Sequence, residues 1–189
     1  MKKSFCFVVG LLGLSLVGCA TPKALFLVAD YPQRQPHTIA VLPIDDARLV
    51  KQGDDPHLEG ELVKALKGCK YDVQELETTR QRLQQVNILG DAITQTAPAQ
   101  LCQALGADAV LQSRLTDYES TYQVIIRTDR LEMTVTIIEG KTGEALWKER
   151  IVKHESTFGV IPASISPISE WLSELFWSLP KRQSVPGSS

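Results

Sequence analysis

Between Leu131 and Ile137 the side chains alternate without a break: Leu131, Met133, Val135 and Ile137 are apolar, and Glu132, Thr134 and Thr136 are polar. Successive side chains of a strand point to opposite faces, so this period of two commits one face to a core and leaves the other toward water. Gly140-Lys141-Thr142-Gly143 follows with turn chemistry, and from Glu144 to Ser156 apolar and charged residues alternate again. Two such runs around a short glycine-containing loop predict an antiparallel hairpin in the second half of the chain.

The first half has a different period. "TIAVLPI", from Thr38 to Ile44, is a short β-branched run stopped at Pro43, which reads as a buried strand. The next segment carries the signals of a helix: Asp55 as cap, Pro56 at the first position, Glu59 at the positive end and Gly68 to close it at C′. Leu58, Leu62, Val63 and Leu66 fall on one face of it. "KYDVQEL" is expected to be a strand, Thr79 to cap a helix through Leu83 and Val86 toward Gly90, and Thr96, Pro98, Leu101, Cys102, Leu105 and Gly106 to mark a further helix. "ADAVLQSRLTDYE" then supplies another strand. Strands and helices that alternate in this way favour an α/β layer. A final helix is expected from Pro167 to about Leu179, capped by Ser166, with Ile168, Trp171, Leu172, Leu175, Phe176 and Leu179 on its apolar face. The fold class is therefore α/β: a single mixed sheet with helices packed on it, a C-terminal antiparallel hairpin and a final helix.

The N-terminus sets location rather than fold. Lys2 and Lys3 precede an apolar run from Phe5 to Leu16, too short for a permanent membrane span, which needs about 20 residues. The run ends Leu16-Val17-Gly18-Cys19, which resembles the lipobox of bacterial lipoproteins. That resemblance implies cleavage between Gly18 and Cys19 and attachment of diacylglycerol to the Cys19 thiol, with acylation, palmitate for example, of the new amine. A plain signal peptide with an incidental cysteine is the competing reading. Two or three acyl chains hold a protein to a membrane where one is marginal. Residues 20 and 21 are Ala and Thr, so the acidic residue that resembles an inner-membrane retention signal is missing, and an outer-membrane protein facing the periplasm is expected. The resulting division is a signal peptide over 1–18, a lipidated N-terminus and tether over 19–37, an α/β domain over 38–180 and a disordered tail over 181–189.

Loss of Lys2 and Lys3 takes the formal charge from -2 to -4, and no Lys/Arg cluster offsets it, so nucleic acid is excluded as an expected partner. Acyl chains, not basic residues, must then provide the membrane contact. With Cys6 in the signal and Cys19 acylated, Cys69 and Cys102 are the only pair that can bridge within the chain. In an oxidising compartment a bridge persists, yet each lies in a helical pattern where a free thiol packs as a small apolar residue, so both readings stand. His37, His57 and His154 are scattered, and no zinc ligand spacing occurs. Asp45, Asp46, Asp54 and Asp55 do not match a calcium loop and read better as a solvated loop that ends in a helix cap. No cofactor is expected, and neither a nucleophile elbow nor a phosphate-binding loop is present.

Trp171, Phe176 and Trp177 lie close together on the final helix, and aromatic side chains serve both as core fillers and as interface anchors. Trp177 lies off the apolar stripe, which makes it the foremost candidate of the three for a partner contact. The expected function is non-enzymatic: assembly or secretion work in the envelope through contacts with another envelope protein or a second copy. An envelope hydrolase with a site not visible in sequence is the alternative.

The order "IAVLP", a helix, "LGADAVLQSRLTDYESTYQVI" and "TVTIIEGKTGEALW" resembles a bacterial lipoprotein family of unknown function typified by a genome-derived neisserial antigen. Gly106-Ala107-Asp108-Ala109 with Thr116-Asp117-Tyr118, and Thr142-Gly143 with Leu146-Trp147, carry most of the likeness over about residues 25 to 156. It implies a fold similar to the N-terminal domain of TolB, related to CsgG and LpoB. "PIDDARLV" and Glu119-Ser120-Thr121-Tyr122 depart from the family's loops. The resemblance carries over fold and location, and no catalytic residues.

Overall fold

The computed structural model describes residues 24–46, 56–123, 125–158 and 168–182. Its strands are β1 (Phe26–Leu27), β2 (Thr38–Val41), β3 (Asp45–Asp46), β4 (Asp72–Val73), β5 (Ala109–Gln123), β6 (Ile126–Glu139) and β7 (Ala145–Phe158). They form one mixed sheet in the order β1-β7-β6-β5-β2-β4, with β3 against the upper part of β5. The helices are α1 (Tyr31–Arg34), α2 (Pro56–Gly68), α3 (Leu76–Gln85), α4 (Asp91–Gln95), α5 (Pro98–Leu105) and α6 (Ile168–Leu175), the last running into a 3-10 turn over Phe176–Ser178.

The sheet separates two cores. Along β2, Ile39 and Val41 enter the larger core while Ala40 and the following Leu42 enter the smaller one, and none of the four is more than 1% exposed. β2 is paired in parallel on both sides, by β4 and β5, and a core covers each of its faces from Ile39 onward, which is why its sequence is a continuous apolar run and not an alternation. α2 covers the larger core with Leu58, Leu62, Val63 and Leu66, beside Trp171, Leu172, Leu175 and Phe176 of the C-terminal segment. Leu83, Leu101, Cys102 and Leu105 from α3 and α5 fill the smaller one. Each such side chain contributes about 1.5–3 kcal/mol through burial. The expected hairpin is present, with Val135 opposite Glu149 and Ile137 opposite Trp147, and Gly143 takes a positive φ of 73° in the turn.

α2, α3 and α5 all end in one motif. The N–H groups of Tyr71, Ile88 and Ala107 reach back five residues to the carbonyls of Leu66, Leu83 and Cys102. The left-handed residues are Lys70 (φ 71°), Asn87 (φ 56°) and Gly106 (φ 62°). Gly106 acts as expected, whereas Gly68 does not, because the apolar pattern runs on: Cys69 and Tyr71 are buried, and the chain turns only after them. Thr79 lies inside α3 instead of capping it, buried, its hydroxyl donating to Gln74 Oε1 at 3.0 Å. Glu59 is 2% exposed, so it is not a solvated first-turn acid. It pairs with Arg80 at 2.5 Å and accepts from the Ile44 amide, which ties α2 to α3 and to the end of β2.

Residues 24–37, expected as a tether whose apolar piece Leu25 to Val28 packs on the domain's edge, contribute structure. β1 pairs with β7, Arg34 bonds Glu139 at 2.6 Å, and Tyr31 is wholly buried. Tyr71 donates its single hydroxyl proton to the Pro180 carbonyl at 2.7 Å, so the 2.8 Å contact with Tyr31 is a bond donated by Tyr31. The two ends of the fold thus meet on one phenol. Residues 1–23, the proposed caps Asp55 and Ser166, Pro167 and the tail from 183 lie outside the described residues.

Candidate interaction surface

β5, β6 and β7 are longer than the rest of the sheet requires. β3 pairs with β5 at Arg114 and Leu115, and Thr116 is then the extra residue of a bulge, with Leu115 opposite Met133 and Asp117 opposite Glu132. A bulge bends its strand and sharpens its twist. Beyond it the three strands continue for about seven residues each, ~24 Å at the usual rise, as an arm that ends at Ile125. Among the described residues, nothing pairs with the outer edge of β5 past Leu115 or of β7 past Lys148. Among the described residues, two unpaired strand edges of different sequence are therefore on offer.

The arm's faces differ. On the core side Leu131 and Met133 are buried, and farther out Asp129, 2% exposed, binds Arg127 at 2.8 Å and accepts from Ser120. On the open side Arg130 pairs with Asp117 and Arg150 with Glu132, at 3.2 Å and 2.6 Å. The bond from Arg150, assisted by Thr116, holds the Glu132 carboxyl below its ordinary range. Among these charges sit exposed apolar side chains: Val152, Ile126 and, at the tip, Phe158 and Ile125. Phe158 is 75% exposed, more than any other large apolar residue described. The sequence held a trace of this surface, since Val152 follows the buried Ile151 and so stands out of phase with the alternation.

The three aromatic residues proposed as partner contacts divide. Trp171 and Phe176 are buried, because both belong to the stripe that faces the larger core, and Phe176 stacks on Trp147 with ring centres 5.3 Å apart. Trp177 is 65% exposed at the rim of a cleft of about 680 Å³ between α2 and the C-terminal segment. Cys69 and Cys102 are both free and buried, Cys69 in the larger core and Cys102 in the smaller. The sheet stands between them, and of the two readings that the sequence left open the structure has the free, buried thiols. Burial raises both thiols, Cys102 to about 11. Gly18 and Cys19 lie outside the described residues.

A second cleft, about 410 Å³, opens past the end of β2 among Asp45, Asp46, Asp91 and Arg80, and Arg80 is already engaged by Glu59. Among the described residues no group of three His, Cys, Asp or Glu side chains could hold a metal, and no helix is long and apolar enough to cross a membrane. At the opposite end of the sheet Arg34 joins Glu139, Glu144 and Thr142, a network that fixes α1 to the β6–β7 turn. Arg34 is the main reason that the Glu139 carboxyl lies below its usual range.

A family model described as "Putative lipoprotein GNA1162-like" matches residues 28–160. No curated protein sequence matches the chain. Among solved structures, lipoprotein GNA1162 from Neisseria meningitidis is similar at a TM-score of 0.57 and 22% identity, over 65% of this chain and 85% of that one. A PelC dodecamer from Paraburkholderia phytofirmans is similar at a TM-score of 0.51 and 15% identity, over 78% and 89%. The C-terminal domain of LpoB from Salmonella enterica matches at 0.46 and 15% identity, over 63% and 83%. The first two share the fold of this chain.

Proposed function

The chain belongs to the GNA1162-like lipoprotein family, and from that premise we propose that it is a non-enzymatic envelope protein, anchored by acyl chains on Cys19 and acting through protein contacts at its three-stranded arm. The outer membrane, with the body in the periplasm, is the location that Ala20 and Thr21 favour. The observation that carries the reading is the arm itself: among the described residues it has two open strand edges and an exposed apolar tip. Strand edges bind through main-chain hydrogen bonds, and apolar side chains at the tip add specificity.

Self-association is a second form of the same reading. The similar PelC protein is a dodecamer. The β5 and β7 edges differ in sequence, so copies joined β5 edge to β7 edge would contact head to tail, and such a contact forms a ring where its rotation closes.

The test is crosslinking and capture from membranes of cells that express the intact lipoprotein, with a Val152→Asp/Phe158→Asp variant beside it. Both positions are exposed, so the variant should keep its melting temperature within about 2 °C. Loss of the captured envelope protein, or of the crosslinked oligomer, with the fold intact is the expected result. Unchanged capture would remove the arm from the mechanism.

A further inference from the structure

We infer that β1 and its flanks form a membrane-contacting edge: Leu25, Phe26 and Leu27 rest on the lipid surface that holds the anchor. The inference depends on acylation of Cys19 as proposed above, and it adds which part of the body meets the bilayer.

The argument is one of chain length. Ala24 is packed against the larger core, and β1 is pinned by its pairing with β7 and by the bond from the Val28 amide to the Leu146 carbonyl at 3.0 Å. Ala24 is thus a fixed point of the body. Cys19 precedes it by five residues, which reach at most ~18 Å when fully extended. A thiol that carries diacylglycerol sits where the hydrocarbon begins, and the headgroup layer above is roughly 5–8 Å deep. About 10 Å of slack remains at full extension and less at any other chain conformation. A body with a radius of gyration of roughly 15 Å cannot stand off from the surface on so short a strap.

The residues at that fixed point suit the neighbour. Leu25, Phe26 and Leu27 are 61%, 45% and 40% exposed, a run of three large apolar side chains at the sheet's edge. Lys148, the register partner of Phe26, places a cation on the same face. Exposed apolar side chains beside a basic one are the composition that settles at a headgroup boundary. A protein partner would satisfy the same side chains, but it would have to enter the space that the strap keeps narrow.

The experiment uses the full acylated chain reconstituted in vesicles of phosphatidylethanolamine and phosphatidylglycerol. An environment-sensitive fluorophore is attached to Phe26→Cys, or to Leu25→Cys should the first variant fail to fold, and to Phe158→Cys at the arm's tip. Cys69 and Cys102 are buried, so parent protein labelled in parallel sets the background. With nitroxide at the headgroup level, the label at residue 26 should lose most of its emission and the label at 158 should keep it. Protein that floats with the vesicles while the label at 26 stays unquenched would overturn the inference, as would a blue shift without quenching, the mark of coverage by a second copy or another protein. Absence of flotation and of palmitate incorporation would instead remove the anchor, and this inference with it.

Discussion

Replacing Tyr71 by Phe should damage the fold more than replacing Tyr31 by Phe, although Tyr31 is the more deeply buried of the two. The reason is the direction of the two bonds. Tyr31→Phe deletes one donor, and Tyr71 keeps its own bond to Pro180. A single net hydrogen bond is worth about 1 kcal/mol. Tyr71→Phe deletes both bonds and leaves a fully buried Tyr31 hydroxyl and a half-buried carbonyl without partners, a loss of roughly 2–3 kcal/mol. For a chain of this size the melting temperature should fall by about 2–4 °C in the first case and roughly 4–12 °C in the second. Thermal unfolding followed by circular dichroism reads both. Titration adds a second measurement. Burial is the largest cause that raises Tyr71, to about 12, and it raises Tyr31 further. Both values exceed that of an unfolded tyrosine, near 10, so the folded state holds these protons more tightly. The stabilisation is complete below about pH 10 and drains away as pH climbs through 12, and the Tyr31→Phe/Tyr71→Phe protein should lack that alkaline step. Equal losses for the two single variants, or the larger loss at Tyr31, would refute the bond directions and the reasoning built on them.

Lys70→Gly should raise the melting temperature by about 1–4 °C, since a left-handed backbone strains any residue with a Cβ, and an unchanged or lower value in calorimetry would count against the motif. Gly140→Ala should cost about 1–3 kcal/mol in urea unfolding, because the new Cβ would lie 2.4 Å from Cys102 Cβ and 2.6 Å from its Sγ. Cys102→Ala should not rescue it, because the nearer of those two atoms remains. Unfolding without reductant in the presence of an alkylating agent should add two labels, one each at Cys69 and Cys102, and a mass two hydrogens lighter with no label would establish a bridge instead. The native protein should react slowly, as burial both shields the thiols and holds them protonated.

The elements legible in the sequence were those whose own pattern coincides with their final surroundings. The β6–β7 hairpin alternates because one face is core, β2 is uniformly apolar because both faces are, and α5 carries its proline and its left-handed glycine in place. What escaped had its structure imposed from elsewhere. For β1, the apolar run from Leu25 to Val28 pointed to packing on the domain's edge, but two residues could not show a strand; α1 has four residues, too few to show a period, and exists because Tyr71 receives it. α4 is equally short, and Thr96, read as the cap of the next helix, bonds back to Ala92 and closes α4. The arm was foreshortened because Ser, Thr and charged residues on its open side look like loop until two neighbouring strands supply the ladder. Of the surface residues, Trp177 was legible as the aromatic that did not fit its helix, and the tip at Phe158 was not, since exposure there depends on where three strands stop.

β7 belongs to both the arm and the seam with β1, and that has a mechanical consequence. A pull exerted on Phe158 travels down a single strand to Trp147 and Lys148 and crosses there to Leu27 and Phe26, from which the chain leads back toward Cys19. Tension between a bound protein and the bilayer would therefore cross from β7 to β1 through a two-residue splice at the rim of the larger core.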